Sequence, residues 1–280
     1  MAKIQIGIGQ GHGGTQPGAS GKLGGKAYLE KNLVRKMTPF LLDFLNNGGK
    51  FEAKTLNDLC GKASDATWAP IQQRKDVEAM LKTRDLAAIF AYHFDSSETA
   101  SPCGWSVCYN SSRAGDMEFA QKYYEGARFQ GNAASININV DGNRAEHIKP
   151  RTDLAMLKID DLVQNLAKAG LGAGAAESVA NAMKEAIGTH LRTMPNLPLA
   201  DTVSAALNKR QLAQYSPMAL PLAAKLERSM LLSLGNEKPK MNLLLIECGF
   251  MSNIGDLKVA VDQPADIALV NYTAINRCFS

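Results

Sequence analysis

Alternating apolar and polar positions at the start of the chain predict a β-strand that ends on a glycine-rich loop. Isoleucines stand at positions 4, 6 and 8, which is the two-residue period of a strand. The sequence GQGHGG follows at 9–14, and its glycines allow a tight backbone turn at the point where His12 appears. Taken alone, this pattern favours a core strand followed by an ordinary glycine turn.

Hydrophobic periodicity further along the chain predicts alternating helices and strands. Apolar residues spaced by three and four predict a helix over about 28–46, with Glu30 in its first turn. The run MNLLLIE at 241–247 is nearly continuously apolar, which is typical of a central strand buried on both faces. Further strands are predicted over 50–56, 86–92, 105–109 and 136–140, helices over 70–84, 116–128 and 264–278, and a mobile surface loop over 16–26. This alternation predicts an α/β fold, with a mostly parallel twisted sheet flanked by helices.

The segment 158–240 differs from the rest of the chain in its hydrophobic pattern. It is rich in Ala and Leu, and it predicts about four helices separated by Gly and Pro residues, with no strand. We therefore expect two parts. A sheet domain is built from residues 1–157 and 241–280, and an all-helical insertion occupies 158–240.

Composition and charge exclude several classes of protein. The 280 residues are 45% hydrophobic and 21% charged, which is ordinary for a globular protein. The net charge of +4 is mild and the cations are scattered among acids, so we expect no nucleic-acid partner. No stretch approaches the roughly 20 apolar residues of a membrane span. Five cysteines without a CxxC spacing are expected to be reduced thiols, and the first residues do not have the pattern of a signal peptide, so we expect synthesis in a cytoplasm.

Two of the four histidines follow predicted strands. His93 comes directly after the strand LAAIFAY, just as His12 follows the first strand, and the carboxyl ends of parallel strands form the ligand-binding edge of an α/β sheet. If Glu30 returns to this edge, two imidazoles and one carboxylate make a catalytic zinc set with a fourth position left open. The alternative for Glu30 is a solvated acid that complements the helix dipole. We expect His147 and His190 to be ordinary surface or core residues, because neither lies in a motif.

Glu247 ends the apolar strand predicted over 241–247. A buried carboxylate needs a partner or a metal, because an unpaired buried charge is costly. One interpretation makes Glu247 the general base of the zinc site. The other is a salt bridge to Arg74 or Arg84, and the residue pattern alone favours the two equally.

Four motifs carry a resemblance to a known family. They are GHGG at 11–14 followed by PGASG, Glu30 at the start of a long helix, YHFDSS at 92–97, and LLLIECGFMSN at 243–253. In this order they resemble the zinc-dependent N-acetylmuramoyl-L-alanine amidases, the type that includes bacterial cell-separation amidases and phage endolysins. The resemblance covers about 1–157 and 241–280.

The resemblance implies a fold, a site and a reaction. The fold is an α/β fold with a mostly parallel sheet, and one Zn²⁺ per chain is bound by His12, Glu30 and His93. Glu247 is the catalytic carboxylate, which takes the proton of the attacking water and passes it to the leaving amine. The substrate is peptidoglycan, cut between the lactyl group of N-acetylmuramic acid and L-Ala of the stem peptide.

The chain departs from the family pattern near two of these residues. The family has Ser-Ile-His followed by an Asn, whereas Tyr92 precedes His93 here and Asp95 stands at the Asn position. Thr15 and Gln16 replace the Asp that often follows GHGG. Neither change removes a ligand, but Asp95 adds a charge near the metal and can alter metal affinity or substrate contact.

We expect a phage lysin that is held in the host cytoplasm and acts on the wall after membrane disruption. Two alternatives stay open: a catalytically inactive peptidoglycan-binding or structural protein, and a zinc peptidase that acts on the stem peptide. The role of the insertion at 158–240 stays open between binding to the cell wall and serving as a structural cap or dimerisation surface. No substrate-contact residue and no oligomeric state follow from the sequence.

Overall fold

The computed structural model describes residues 2–68, 70–97, 100, 103–110, 114–138, 147–151, 159–193, 198–229 and 241–280. The strands are β1 (Ile4–Gln10), β2 (Ser20–Leu23), β3 (Lys26–Leu29), β4 (Phe51–Thr55), β5 (Ala88–Asp95), β6 (Ser106–Asn110), β7 (Ile148–Arg151) and β8 (Asn242–Phe250). The helices are α1 (Glu30–Asn47), α2 (Leu56–Leu59), α3 (Pro70–Met80), α4 (Ala114–Ala133), α5 (Ile159–Lys168), α6 (Ala173–Thr193), α7 (Leu199–Lys209), α8 (Ser216–Ser229), α9 (Ile254–Asp262) and α10 (Pro264–Cys278), and a 3-10 turn lies at Ala213–Tyr215.

Six strands form one sheet in the order β4-β1-β5-β8-β6-β7. β1 pairs in parallel with β4 and β5, and β5 pairs in parallel with β8, whereas β6 is antiparallel to β8. The predicted α/β fold with a mostly parallel sheet is thereby confirmed. β8 is buried except at its two ends, as its apolar run predicts. The carboxyl ends of β1, β5 and β8 lie at one edge of the sheet.

The residues of β1 alternate between the two faces of the sheet. Ile6 and Ile8 are buried in the core that α1, α4 and α10 form on one face. Gly7 faces the other side, where a Cβ would lie 2.9 Å from the Leu56 side chain. Glycine in this strand therefore lets α2 pack directly on the sheet.

Helices α1, α4 and α10 cover the first face with apolar side chains at helical spacing. Met37 and Leu41 of α1 are fully buried, and burying such a side chain contributes about 1.5–3 kcal/mol. Phe90 of β5 stacks on Phe119 and Tyr123 of α4, with ring centroids 5.9 and 5.6 Å apart. This aromatic cluster fixes α4 against the central strands.

The chain forms two compact units. The first comprises 1–67, 77–150 and 235–280 and holds the sheet, and the second comprises 68–76 and 151–234. The second unit has its own apolar core between helices α5 to α8, with Leu162, Val179, Met183, Leu199, Val203 and Leu207 among its buried residues. The boundaries expected from the sequence, at 157/158 and 240/241, stay a prediction.

Two segments differ from the elements that the sequence predicts. Residues 20–29 form an antiparallel hairpin, so the prediction of a loop over 16–26 was wrong there. Gly24 and Gly25 have φ values of 57° and 80°, and two positive values are what a two-residue type I′ hairpin turn needs. The predicted strand over 136–140 is also wrong for 136–138, where two isoleucines are buried without strand structure, and 139–140 lie outside the described residues. The two-residue spacing of Ile136 and Ile138 therefore resembles the pattern of a strand although no strand forms there.

None of the described helices is both long enough and apolar enough to span a membrane.

Candidate metal centre

Three side chains with metal-binding atoms meet at the carboxyl edge of the sheet. His12 lies two residues beyond β1, His93 lies in β5, and Glu30 is the first residue of α1. Their ligand atoms all lie within 4.8 Å of one another. His93 Nδ1 is 2.9 Å from Glu30 Oε1, and His12 Nε2 is 3.3 Å from Glu30 Oε2. The two imidazole rings are nearly perpendicular, with centroids 5.2 Å apart.

Glu30 is a buried carboxylate whose two oxygens are both hydrogen-bonded. Oε1 accepts the backbone N–H of Phe94 at 3.1 Å, and Oε2 accepts that of Ala19 at 2.7 Å. Burial alone would raise the pKa of Glu30, but the hydrogen bonds and charges of His12 and His93 outweigh it and hold the pKa well below its usual range. Glu30 is therefore ionised, which is the form that binds a metal. It is not the solvated first-turn acid that the sequence left open.

Glycines provide the space around this cluster. A Cβ on Gly18, whose φ is +72°, would lie 2.4 Å from Glu30 Oε2 and 2.5 Å from the His12 ring. A Cβ on Gly11 would lie 2.5 Å from the His93 ring. Side chains larger than hydrogen at these positions would occupy the space in which the side chains of His12, Glu30 and His93 converge.

The donor set fits zinc. Two imidazole nitrogens and one carboxylate oxygen are the ligands of many catalytic zinc sites, which leave a fourth position for water or substrate. His12 and His93 expose 23% and 17% of their side chains, so solvent can reach the cluster. A hard cation such as Mg²⁺ or Ca²⁺ would instead prefer a set of oxygen ligands.

Glu247 lies beside the cluster on the neighbouring strand. It is directly opposite His93 in the β5–β8 pairing, so the two side chains leave the same face of the sheet. Only 9% of Glu247 is exposed. The fold thus brings the four predicted residues, which lie far apart in the chain, to one edge of the sheet.

Ser106 was missed by the sequence analysis. It is directly opposite Glu247 in the β6–β8 pairing, which gives a row of His93, Glu247 and Ser106 across three strands. The Ser106 hydroxyl is buried and has no hydrogen-bond partner among the described residues. No sequence signal could have found it, because its position depends on strand register.

Lys31 and Arg35 were also missed. Both follow Glu30 on α1 and their side chains reach the backbone of residues 11–14. A signal was present, since two cations spaced by four share one face of a helix. Asp95 is partly exposed at the end of β5, where its Oδ1 accepts the Ser96 N–H.

The remaining two histidines lie outside this cluster. The His147 Nδ1 donates to the Trp105 carbonyl oxygen at 2.6 Å, and the ring stacks on Tyr124. His190 is buried in the second unit, with its Nδ1 2.7 Å from Thr202 Oγ1, and burial lowers its pKa. Both fit the expectation of ordinary residues.

Two histidines and a carboxylate at the carboxyl edge of an α/β sheet, beside a further glutamate, form an arrangement that is typical of metal-dependent hydrolases. The sequence matches the N-acetylmuramoyl-L-alanine amidase family over residues 6–277. The chain therefore belongs to this family. A comparison of the sequence with curated proteins finds no match.

Several solved amidases share the fold. The CwlD amidase from Clostridioides difficile, solved in complex with the GerS lipoprotein, is 16% identical with a TM-score of 0.57, covering 99% of this chain and 98% of that one. An N-acetylmuramyl-L-alanine amidase from Mycobacterium abscessus is 12% identical with a TM-score of 0.54, and the match covers 100% of both chains. The catalytic domain of CwlV from Bacillus (Paenibacillus) polymyxa is 15% identical with a TM-score of 0.53, covering 98% and 96%. At these identities the likeness concerns the fold alone.

Proposed function

We propose that this protein is a zinc-dependent N-acetylmuramoyl-L-alanine amidase. Its substrate is peptidoglycan, and the bond it hydrolyses joins the lactyl group of N-acetylmuramic acid to L-Ala of the stem peptide. The observation that carries the proposal is the convergence of His12, Glu30 and His93, with Glu247 beside them, in a chain of the amidase family.

Each residue of the cluster has a defined part in the reaction. His12, Glu30 and His93 would hold one zinc ion per chain, with the ionised Glu30 balancing part of its charge. Zinc, when bound, supplies Lewis-acid polarisation of the scissile carbonyl and acidifies water. The Glu247 carboxylate accepts the proton of the attacking water and delivers it to the L-Ala nitrogen as the amide bond breaks. Free glycan and free stem peptide are the products.

Peptide release from purified peptidoglycan tests this proposal. We expect stem peptides with a new L-Ala amino terminus in mass spectra, and their release should stop on addition of a chelator and resume with zinc. Glu247→Gln should lower the rate by about 10²–10⁴ while zinc content stays at one per chain. The matched control is Glu118→Gln, which neutralises an exposed glutamate on α4 and should leave the rate unchanged.

The products also separate the proposal from its alternatives. A new amino terminus within the stem peptide would indicate a zinc peptidase. Binding to the wall without release from several wall chemistries, despite bound zinc, would indicate an inactive binding protein. Either result would overturn the amidase proposal.

We further propose that the protein is a phage lysin, made in the host cytoplasm and active on the wall after membrane disruption. The resemblance to a group that includes phage endolysins supports this. In bacteria that express the protein, culture turbidity should stay constant until chloroform permeabilises the membrane and then fall, and Glu247→Gln should prevent the fall. A fall in turbidity before permeabilisation would contradict the lysin proposal.

A further inference from the structure

The loop that carries His12 is held from two sides. This loop, residues 11–15 and called the His12 loop below, follows β1. On one side lies the first part of α1, and on the other lies the segment 64–67. Both sides belong to the sheet unit.

Arg35 makes the central contact between the two sides and the loop. Its Nη2 donates to the His12 carbonyl oxygen at 2.5 Å, and its Nη1 donates to the Gly11 carbonyl oxygen at 3.3 Å. Nε donates to the Ser64 carbonyl oxygen at 2.9 Å. Only 16% of the side chain is exposed. Because guanidinium is a planar fork of five donors, one side chain can bind several carbonyls at once.

Further hydrogen bonds hold the His12 loop in place. Lys31 Nζ donates to the Gly14 carbonyl oxygen at 2.6 Å, and the Gly14 N–H donates to Asp65 Oδ1 at 3.1 Å. The Thr15 N–H donates to Thr67 Oγ1 at 3.0 Å. Asp65 lies 3.5 Å from both Lys31 Nζ and Arg35 Nε, so it also balances their charges.

His12 needs this support because of its backbone. Its φ is +59°, in the left-handed region that residues with a Cβ rarely adopt. That conformation costs about 1–2 kcal/mol, so the surrounding contacts must impose it. It also determines which way the imidazole leaves the loop. The Arg35 bond to the carbonyl of His12 itself acts directly on this conformation.

We propose that Arg35 is a positioning residue for metal binding: it holds His12 in the left-handed conformation that directs the imidazole toward Glu30 and His93 before zinc binds. This inference rests on the proposed function, in which zinc is the occupant of the site. When a metal site is formed before the metal binds, none of the binding free energy is lost in ordering the side chains that hold the metal. Without Arg35, zinc binding would have to order the loop as well.

Zinc affinity is the measurement that tests this role. We expect Arg35→Met, which keeps the apolar stem, to raise the zinc dissociation constant at least about tenfold in chelator competition. The control is Lys36→Met, which removes a cation at the next position of α1. The Lys36 Nζ donates to the Val261 carbonyl oxygen, far along the chain from the His12 loop. The zinc dissociation constant of this variant should stay within twofold of that of the original protein, a difference of at most about 0.4 kcal/mol. Circular dichroism of the zinc-free variants establishes that both are folded.

Two further variants keep the inference testable if Arg35→Met does not fold. Arg35→Lys preserves the charge but replaces the planar fork of five donors by a single ammonium group. Asp65→Asn alters an exposed carboxylate that contacts Gly14, Lys31 and Arg35. Both should weaken zinc binding, Asp65→Asn by the smaller factor. Unchanged affinity in every folded Arg35 variant would overturn the inference and leave the amidase proposal intact. Absence of zinc binding in the unaltered protein would instead overturn the proposed function.

Discussion

Two buried hydroxyl groups near the central strands have opposite environments. Tyr123 donates its hydroxyl hydrogen to Asn271 Oδ1, and its oxygen lies 3.3 Å from the Tyr92 hydroxyl. Ser106, by contrast, has a buried hydroxyl without a hydrogen-bond partner among the described residues. Removal of the Tyr123 hydroxyl would leave Asn271 and Tyr92 without this hydrogen-bond partner. Removal of the Ser106 hydroxyl would eliminate a buried polar atom that makes no hydrogen bond within the described part of the chain.

We therefore expect the two deletions to change stability in opposite directions. Tyr123→Phe should lower the free energy of unfolding by about 1–3 kcal/mol, because Asn271 and Tyr92 lose their partner. Ser106→Ala should leave it unchanged or raise it by up to about 1 kcal/mol. Urea denaturation followed by circular dichroism measures both. Easier unfolding of Ser106→Ala than of the original protein would contradict the assignment of an unmatched hydroxyl.

Asp256 gives the stability of the fold a pH dependence. Its Oδ2 accepts the N–H groups of Phe250 and Gly104, but burial dominates and raises the pKa to about 6 from an ordinary 3.8. Between these two values the folded state binds more protons than the unfolded state, so the free energy of unfolding falls as pH rises. The loss is at most about 3 kcal/mol, and solvent screening reduces it.

The matched variant for this pH dependence is Asp256→Asn. Denaturation from pH 3.5 to 7 should give a difference in unfolding free energy, original minus variant, that declines between about pH 4 and 6 and is flat above. A constant difference over this range would show that the Asp256 carboxyl titrates normally.

At the scale of elements, Gly18 and Gly24 both have a positive φ but differ in the space around them. Gly18 lies between the His12 loop and the hairpin, and Gly24 lies in the hairpin turn. Gly18 has a φ of +72° and no room for a Cβ beside Glu30 and His12, whereas Gly24 has a φ of +57° and nothing within 4 Å of a Cβ. Substituting each glycine in turn therefore distinguishes the effect of backbone strain from that of crowding at the candidate metal centre.

Gly18→Ala should weaken zinc binding by at least about tenfold, because its methyl group displaces Glu30 and His12. Gly24→Ala should cost about 1–2 kcal/mol of stability through its left-handed backbone but retain zinc affinity. Chelator competition and thermal unfolding measure the two effects. Equal zinc affinities in the two variants would contradict the steric argument.

Some features of the elements are determined by local sequence, and others depend on how distant segments pair. The strand ends that carry His12 and His93 were predictable, because hydrophobic periodicity and glycines that end a strand are visible in the local sequence. Glu247 was predictable as a charge at the end of an apolar run. Ser106 was not, since its place opposite Glu247 depends on the register between strands far apart in sequence. The spacing of Lys31 and Arg35 places two cations on one helix face and was visible in the sequence, but the loop that they bind was not, because a helix face does not reveal which loop packs against it.

For the whole molecule, each compact unit has a core of its own. His12, Glu30, His93 and Glu247 all belong to the sheet unit. Replacing residues 158–240 by a flexible linker should therefore leave one zinc per chain, measured by metal analysis. Loss of zinc in a folded deletion variant would contradict this expectation.

The same deletion decides between the two roles of the insertion. Sedimentation with purified peptidoglycan compares the bound fractions of the original and shortened proteins, both as Glu247→Gln variants so that the wall stays intact. A smaller bound fraction indicates that the insertion contacts the wall. An unchanged fraction indicates a structural cap or a dimerisation surface.

The position of β8 between β5 and β6 has a consequence for biosynthesis. Strands β5 and β6 emerge from the ribosome long before their common neighbour, which begins only at Asn242. Until then both present an open edge, and Glu247, which we propose as the catalytic carboxylate, has not been translated. A nascent or truncated chain that ends before β8 can therefore neither complete its sheet nor attack the wall, so catalytic competence arrives only with the closing part of translation.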